Sequence, residues 1–177
     1  MRYVTENDTL ELTAIPKKAG AIKVHQLKSG PLYILLSNVK VAFEPGVFGG
    51  GTGTETRVGM VLNVTEDQSS KIAAIEDTIR QHLDGDAKWY SGLKTSADYG
   101  ASFRPKVNKE KVHIFSDSNE SMAWPERWRG ATINAVVRIG GAYSQSQGCG
   151  ALWEVTHVQF QPSEEEAPTP FAVSDTC

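Results

Sequence analysis

Two adjacent segments with different hydrophobic periods decide the fold: RVGMVLNV, residues 57–64, and TEDQSSKIAAIEDTIRQHLDG, residues 65–85. The first segment is apolar at every second position, namely Val58, Met60, Leu62 and Val64. This alternation is the period of a β-strand with one buried face. The second segment is apolar at helical spacing, at Ile72, Ile75, Ile79 and Leu83. A strand followed by one amphipathic helix, about residues 68–84, is therefore predicted, with polar capping side chains before it and Gly85 after it.

The flanking sequence predicts further strands on both sides of this unit. Before it, residues 32–43 are rich in strand formers and end at Pro45-Gly46. After it come a short strand at residues 111–115 and two longer ones at residues 131–139 and 152–160. About six strands with one helix between the early and late groups do not suit a doubly wound sheet. A mainly β fold, a small Greek-key barrel, is predicted.

Length and composition favour one domain with short appendages. The chain has 177 residues, of which 40% are hydrophobic and 22% charged, and these values are ordinary for a globular protein. We expect an N-terminal arm or short strands at residues 1–30, a barrel domain at residues 31–162, and a flexible acidic tail at residues 163–177. No apolar run is long enough to cross a bilayer, and the first residues lack the apolar core of a secretory signal, so an intracellular protein is expected.

Neither a cofactor nor a catalytic site is predicted. Cys149 and Cys177 lie far apart, and the four histidines have no partner at ligand spacing. No signature of a hydrolase or metalloprotease occurs, so we do not expect an enzyme. The glycine-rich residues 49–56 lack the Gly-Lys-Ser/Thr of a phosphate loop and are interpreted as a mobile hairpin loop.

The charge distribution is uneven along the chain. Residues 161–177 contain Glu164, Glu165, Glu166 and Asp175 but no Lys or Arg. The whole chain has 18 basic and 21 acidic side chains, so the remainder without these four acids carries a net charge of about +1. Its densest basic stretch, residues 101–115, contains four Lys or Arg against Glu110. A basic strip with an acidic tail is consistent with a polyanionic partner, although a solvated strand and tail would look the same.

Aromatic and basic residues coincide in two segments, residues 86–107 and the WPERWR motif at residues 124–129. A groove for single-stranded nucleic acid needs cations for the phosphates and flat rings for the bases. The candidate nucleic-acid-binding residues are Lys88, Trp89, Tyr90, Lys94, Tyr99, Phe103, Arg104, Lys106, Lys109, Lys111, Trp124, Arg127, Trp128 and Arg129. Tryptophans are more often core residues, so Trp153 is assigned to the core. The side chains that could equally belong to the core or to the site are Trp89, Tyr90, Trp124 and Trp128.

The order of these elements resembles the phage and large-DNA-virus single-stranded-DNA-binding proteins of the OB-fold type. The resemblance covers about residues 32–166 and includes the helix between early and late strands and the glycine-led final strand GCGALWEVTHVQF, residues 148–160. It implies an OB-like barrel that protects single-stranded DNA in replication or recombination. It also implies an acidic tail that contacts replication proteins, although this tail ends in Ser174-Asp175-Thr176-Cys177 rather than in an acidic run capped by an aromatic.

A second hypothesis from another class is a viral coat or assembly subunit without a nucleic-acid groove. A compact β domain with a glycine-rich loop and flexible ends suits that role too, and homo-oligomerisation is compatible with both. A long arm at residues 1–30 that pairs with a neighbour would favour the structural subunit. An open basic groove would favour single-stranded DNA as the partner.

Overall fold

The fold is described for residues 2–4, 10–14, 23–47, 55–83, 88–98 and 100–162 of a computed structural model. These ranges contain eleven strands and one helix. In chain order they are β1 (Leu12–Ala14), β2 (Lys23–Leu27), β3 (Leu32–Gly46), β4 (Arg57–Asn63), α1 (Glu66–Gln81), β5 (Leu93–Ser96), β6 (Gly100–Phe103), β7 (Lys106–Asn108), β8 (His113–Phe115), β9 (Ser121–Met122), β10 (Thr132–Gln145) and β11 (Gly148–Phe160). Most of the loop at residues 49–56 and all of the tail at residues 163–177 lie outside the described ranges.

Five of these strands close into a barrel. β3 pairs antiparallel with β4 and with β10, and β4 pairs antiparallel with β7. β7 then pairs in parallel with β11, and β11 pairs antiparallel with β10, which completes the ring. This closed barrel with one helix confirms the predicted mainly β, OB-like fold.

Irregularities in the long strands allow the barrel to curve. The pairing register shifts twice between β3 and β4 and twice between β10 and β11. Such bulges bend a strand and increase its twist. At one of them Gly141 has a φ of +137°, and an added Cβ would lie 1.9 Å from the carbonyl oxygen of His25. Glycine is required there because β2 approaches β10 closely.

The described parts of the N-terminal region fold back on the same chain. β1 pairs with β2, and β2 pairs with β10 beside the barrel. The backbone N–H of Tyr33 donates to the carbonyl of Arg2, and the N–H of Val4 donates to the carbonyl of Tyr33. These segments therefore extend the sheet of their own chain.

The helix α1 packs on the barrel through the face that its sequence predicts. Ile72, Ile75 and Ile79 are buried in the core, and Thr65 caps the N-terminus in a reciprocal capping box with Gln68. Because Thr65 is the cap, the helix begins two residues before the predicted residue 68, and it ends three residues before the predicted residue 84. No helix in the described ranges is both long and apolar enough to cross a membrane.

The predicted number of strands, about six, is too low. The segment at residues 86–107, for which the sequence predicts no strand, contains β5, β6 and most of β7. Each of these strands has only three or four residues. So short a strand has too few alternating positions to give a recognisable period.

Candidate nucleic-acid interface

A groove with a cavity of about 640 Å³ lies on the outer face of the barrel, and we call it the first groove. Its floor comes from β4 and β7, and one wall comes from the hairpin formed by β10 and β11. On β4 the even-numbered residues are buried in the core, so Arg57 and Gly59 project to the opposite face. Lys106 of β7 pairs directly with Gly59 and adds a second exposed cation.

Two tyrosines supply ring surface to the first groove. Tyr90 is 44% exposed, and the Nζ of Lys88 lies 5.1 Å from its ring centroid. Tyr143 is half-buried on β10. Burial raises the pKa of the Tyr143 phenol, and the nearby Cys149 and Tyr90 act in the same direction. Tyr143 therefore stays neutral at physiological pH and adds no negative charge to a surface that would face phosphates.

The groove wall also depends on a glycine at the start of β11. The backbone N–H of Tyr90 donates to the carbonyl of Cys149, and the N–H of Cys149 donates to the carbonyl of Lys88. An added Cβ at Gly148 would lie 2.2 Å from the Tyr90 ring and 2.6 Å from the Lys88 carbonyl oxygen. Gly148 thus permits the Tyr90 segment to pair closely with the hairpin.

The buried carboxylate of Glu76 on α1 accepts hydrogen bonds from the residues that follow Tyr90. Glu76 is only 3% exposed, and its Oε2 accepts hydrogen bonds from the backbone N–H of Gly92 at 2.8 Å and from Trp153 Nε1 at 3.1 Å. The hydroxyl of Ser91 donates to Glu76 Oε1. The carbonyl of Gly92 in turn accepts from the backbone N–H of Arg104 at 2.8 Å. Glu76 therefore fixes the backbone next to Tyr90 and, through Gly92, the backbone of Arg104.

A neighbouring cavity of about 670 Å³ lies between β3, β4 and the β5–β6 hairpin, and we call it the second groove. Its basic lining residues are Lys40, Lys94, Arg104 and Arg129, and it also contains Phe43, which is 55% exposed. Arg104 lines both grooves. Neither groove has an Asp or Glu among the described residues that line it.

The predicted site residues divide into several groups. Tyr90, Arg104 and Lys106 line the first groove, Lys94, Arg104 and Arg129 line the second, and Lys88 lies over the Tyr90 ring. Trp89 is half-buried and packs against the core. The other predicted cations are Lys109, Lys111 and Arg127, and they line neither groove. Tyr99 lies outside the described residues.

Two predicted contacts, Phe103 and Trp128, are wrong because both side chains are core residues. Phe103 is fully buried, and its ring meets Trp153 edge to face at a centroid distance of 5.1 Å. Trp128 is 1% exposed and packs between the rings of Trp124 and Phe160 at 4.9 and 5.1 Å. Neither ring can stack on a base without unfolding its surroundings.

The two remaining tryptophans, Trp124 and Trp153, lie partly or wholly in the core. Trp124 is half-buried against Trp128, and the Nζ of Lys109 lies 5.4 Å from its ring centroid. Trp153 is 4% exposed and lies in the core, as predicted.

Among the residues that line the grooves, sequence reasoning missed two cations and two accessible rings: Lys40, Arg57, Phe43 and Tyr143. A signal existed for Arg57, because the alternation that buries Val58 places its neighbour on the outer face. Phe43 carried no such signal, since it ends an apolar run and register shifts lie on both sides of it. Tyr143 follows the bulge at Gly141, where simple alternation along the strand ends.

Two strand histidines, His113 and His157, form a stacked pair. His113 and His157 stack at a centroid distance of 4.8 Å across the parallel pairing of β8 and β11. Burial lowers the pKa of His157, and His113 acts in the same direction. In the described part of the chain, no three His, Cys, Asp or Glu side chains are grouped so that they could hold a metal ion.

Comparison with solved structures identifies proteins that share this architecture. The single-stranded DNA-binding protein of bacteriophage Enc34, in complex with ssDNA, superposes with a TM-score of 0.56 at 17% identity over 93% of this chain and 100% of that chain. Its C-terminal truncation gives 0.55 at 17% identity over 90% and 98%. The single-stranded DNA-binding protein of bacteriophage T7 gives 0.53 at 10% identity over 84% and 96%. This chain has their OB-like fold.

The position of the first groove can be compared with the face at which OB-folds bind oligonucleotides. Oligonucleotides bind OB-folds on the face of the second and third barrel strands and at the loops joining strands 1 to 2 and 4 to 5. Here those strands are β4 and β7, and the loops follow Gly46 and Gln145. The first groove lies on that face, with Val47 and Gln145 at its edges. No protein-family model matches the chain, and no curated protein is significantly similar to it in sequence.

Proposed function

We propose that this protein binds single-stranded DNA across the first groove and protects it during phage or viral replication or recombination. The observation that carries the proposal is the combination of Arg57, Lys106 and Arg104 with the rings of Tyr90 and Tyr143 on the OB-fold binding face. The cations pair with phosphates, and the rings stack on bases. The fold shared with phage single-stranded DNA-binding proteins supports the same activity.

A preference for single strands follows from the chemistry of the groove. Tyrosine rings stack on base faces, and those faces are covered by neighbouring bases in a duplex. Stacking contributes about 1–3 kcal/mol per base and tolerates any sequence. The protein should therefore bind without strong sequence preference.

We expect oligo(dT) to bind more tightly than a duplex of the same length, with an affinity that falls as salt rises. Contacts of Arg57, Arg104 and Lys106 with three phosphates give a slope of log K against log salt of about −2, at ~0.7 per phosphate. Fluorescence anisotropy with labelled oligonucleotides at several salt concentrations measures both quantities. Lys106→Ala should reduce the slope by about 0.7.

Lys71→Ala is the matched control, because Lys71 is an exposed lysine on α1 that lines neither groove. It should leave both the slope and the affinity unchanged. Equal affinity for duplex and single strand, or binding that does not respond to salt, would contradict the proposed function.

The acidic tail is proposed to compete with DNA for the basic grooves and to offer a contact for replication proteins. Three of its four acids, Glu164, Glu165 and Glu166, lie within four residues of Pro162, where the described barrel ends, and the fourth is Asp175. Truncation after Pro162 should tighten oligo(dT) binding at low salt and have little effect at high salt, where screening weakens the competition. The same anisotropy titration, run on full-length and truncated protein, checks this. A truncated protein with unchanged or weaker affinity at low salt would show that the tail does not compete.

A further inference from the structure

We propose that the second groove is a separate subsite for the same strand, in which Phe43 stacks on a base while Lys40, Lys94 and Arg129 hold phosphates. This inference rests on the proposed binding of single-stranded DNA in the first groove. It adds a second contact region and therefore a longer binding site.

The two grooves are continuous along one face of β4. Arg57 and Gly59 line the first groove, while Val61 and Asn63 line the second. These four are every second residue of β4, so they share one face of the strand. At about 3.3 Å per residue, the distance from Arg57 to Asn63 is roughly 20 Å. A strand lying along this face would pass from one groove directly into the other.

Arg104 lies where the first and second grooves meet. It follows the last residue of β6, which pairs with β4 beside the second groove, and it precedes β7, which pairs with β4 beside the first. A guanidinium at this junction can bind a phosphate that belongs to either part of the path. The contact between the backbone N–H of Arg104 and the carbonyl of Gly92 fixes its position.

The chemistry of the second groove is that of a single-strand binding surface. A single exposed apolar side chain is ordinary on a protein surface. Phe43, however, lies in a cavity of about 670 Å³ with four cations and without a carboxylate among the described lining residues. An exposed ring among several cations is what a sequence-tolerant groove for a single strand requires.

The acid nearest to Phe43 in the sequence is already engaged elsewhere. The carboxylate of Glu44 accepts backbone hydrogen bonds from Trp128 at 3.0 Å and from Arg129 at 2.9 Å. The backbone N–H of Gly130 also donates to the carbonyl of Val41 at 2.8 Å. Glu44 is thus a positioning residue that fixes the loop carrying Arg129 at the edge of the groove.

Phe43→Ala tests the inference with oligo(dT) of two lengths, about 5 and about 15 nucleotides, which span the usual site sizes of an OB-fold. The longer oligonucleotide should bind the variant about tenfold more weakly, equivalent to the loss of ~1.4 kcal/mol of stacking. The shorter one fits in the first groove alone and should change by about twofold or less. Lys40→Ala should reduce the salt slope by about 0.7 for the longer oligonucleotide.

Leu35→Ala is the matched control for Phe43→Ala. Leu35 is 56% exposed on the same strand, β3, and lines neither groove. It should bind both oligonucleotides as the wild type does. If Phe43→Ala also matches the wild type on the longer oligonucleotide, the inference is overturned while the proposed function stands. A wild-type protein that binds neither oligonucleotide would overturn both.

Discussion

Replacing Glu76 by alanine is expected to lower the free energy of unfolding by about 2–4 kcal/mol. Trp153 Nε1 is buried and would lose its acceptor, and the backbone N–H of Gly92 would lose a bond to a charged group. Hydrogen bonds to charged groups contribute about 1.5–3 kcal/mol each, and a buried donor without an acceptor costs about 1–3 kcal/mol. Chemical denaturation followed by tryptophan fluorescence measures the change.

Asp77→Ala is the control for this experiment, since Asp77 is the next residue on α1 and is exposed. It should change stability by no more than about 0.5 kcal/mol, as surface substitutions usually do. Glu76→Gln keeps one acceptor oxygen but turns an NH2 group towards donors, so an intermediate loss is expected. A Glu76→Ala protein as stable as Asp77→Ala would show that the buried carboxylate does not hold the groove wall.

Trp128→Ala and Arg129→Ala should separate stability from binding at adjacent positions. Removing the buried Trp128 ring should cost about 3–5 kcal/mol of folding free energy, while the fraction that remains folded binds oligo(dT) normally. Arg129 is exposed in the second groove, so its truncation should leave the melting temperature unchanged and weaken binding of long oligonucleotides. Thermal unfolding and anisotropy on both variants provide the measurements. Loss of binding in folded Trp128→Ala would contradict the assignment of this ring to the core.

The barrel and its helix could be predicted because long elements carry their own periods. Alternation over residues 57–64 and helical spacing over residues 72–83 each extend far enough to exclude the other structure. The strands of three or four residues between Leu93 and Asn108 could not be found this way. They form because β4 pairs with β6 and β7 and because α1 packs against β5 and β6. These partners are set by tertiary structure rather than by local sequence.

The sequence predicted which segments form the candidate site, but not which of their side chains are exposed there. Tyr90 and Phe103 lie in the same aromatic and basic stretch, yet one is exposed and the other has no accessible surface. Phe103 is buried because it packs against Trp153, which lies fifty residues further along the chain. Similarly, the WPERWR motif made Trp128 a candidate contact, but its ring is buried and packs against Phe160 of β11.

The pairing partners of β11 determine when the barrel can close during synthesis. This last strand supplies the parallel partner of β7 and the antiparallel partner of β10, so the ring stays open until residues 148–160 have left the ribosome. Until then β7 and β10 expose unpaired edges, which are sites of aggregation. Pairing that spans so much of the sequence also slows folding, because the entropy of closing a long loop is lost before the contacts form. The barrel should therefore close only once β11 has been synthesised, rather than strand by strand as the chain emerges.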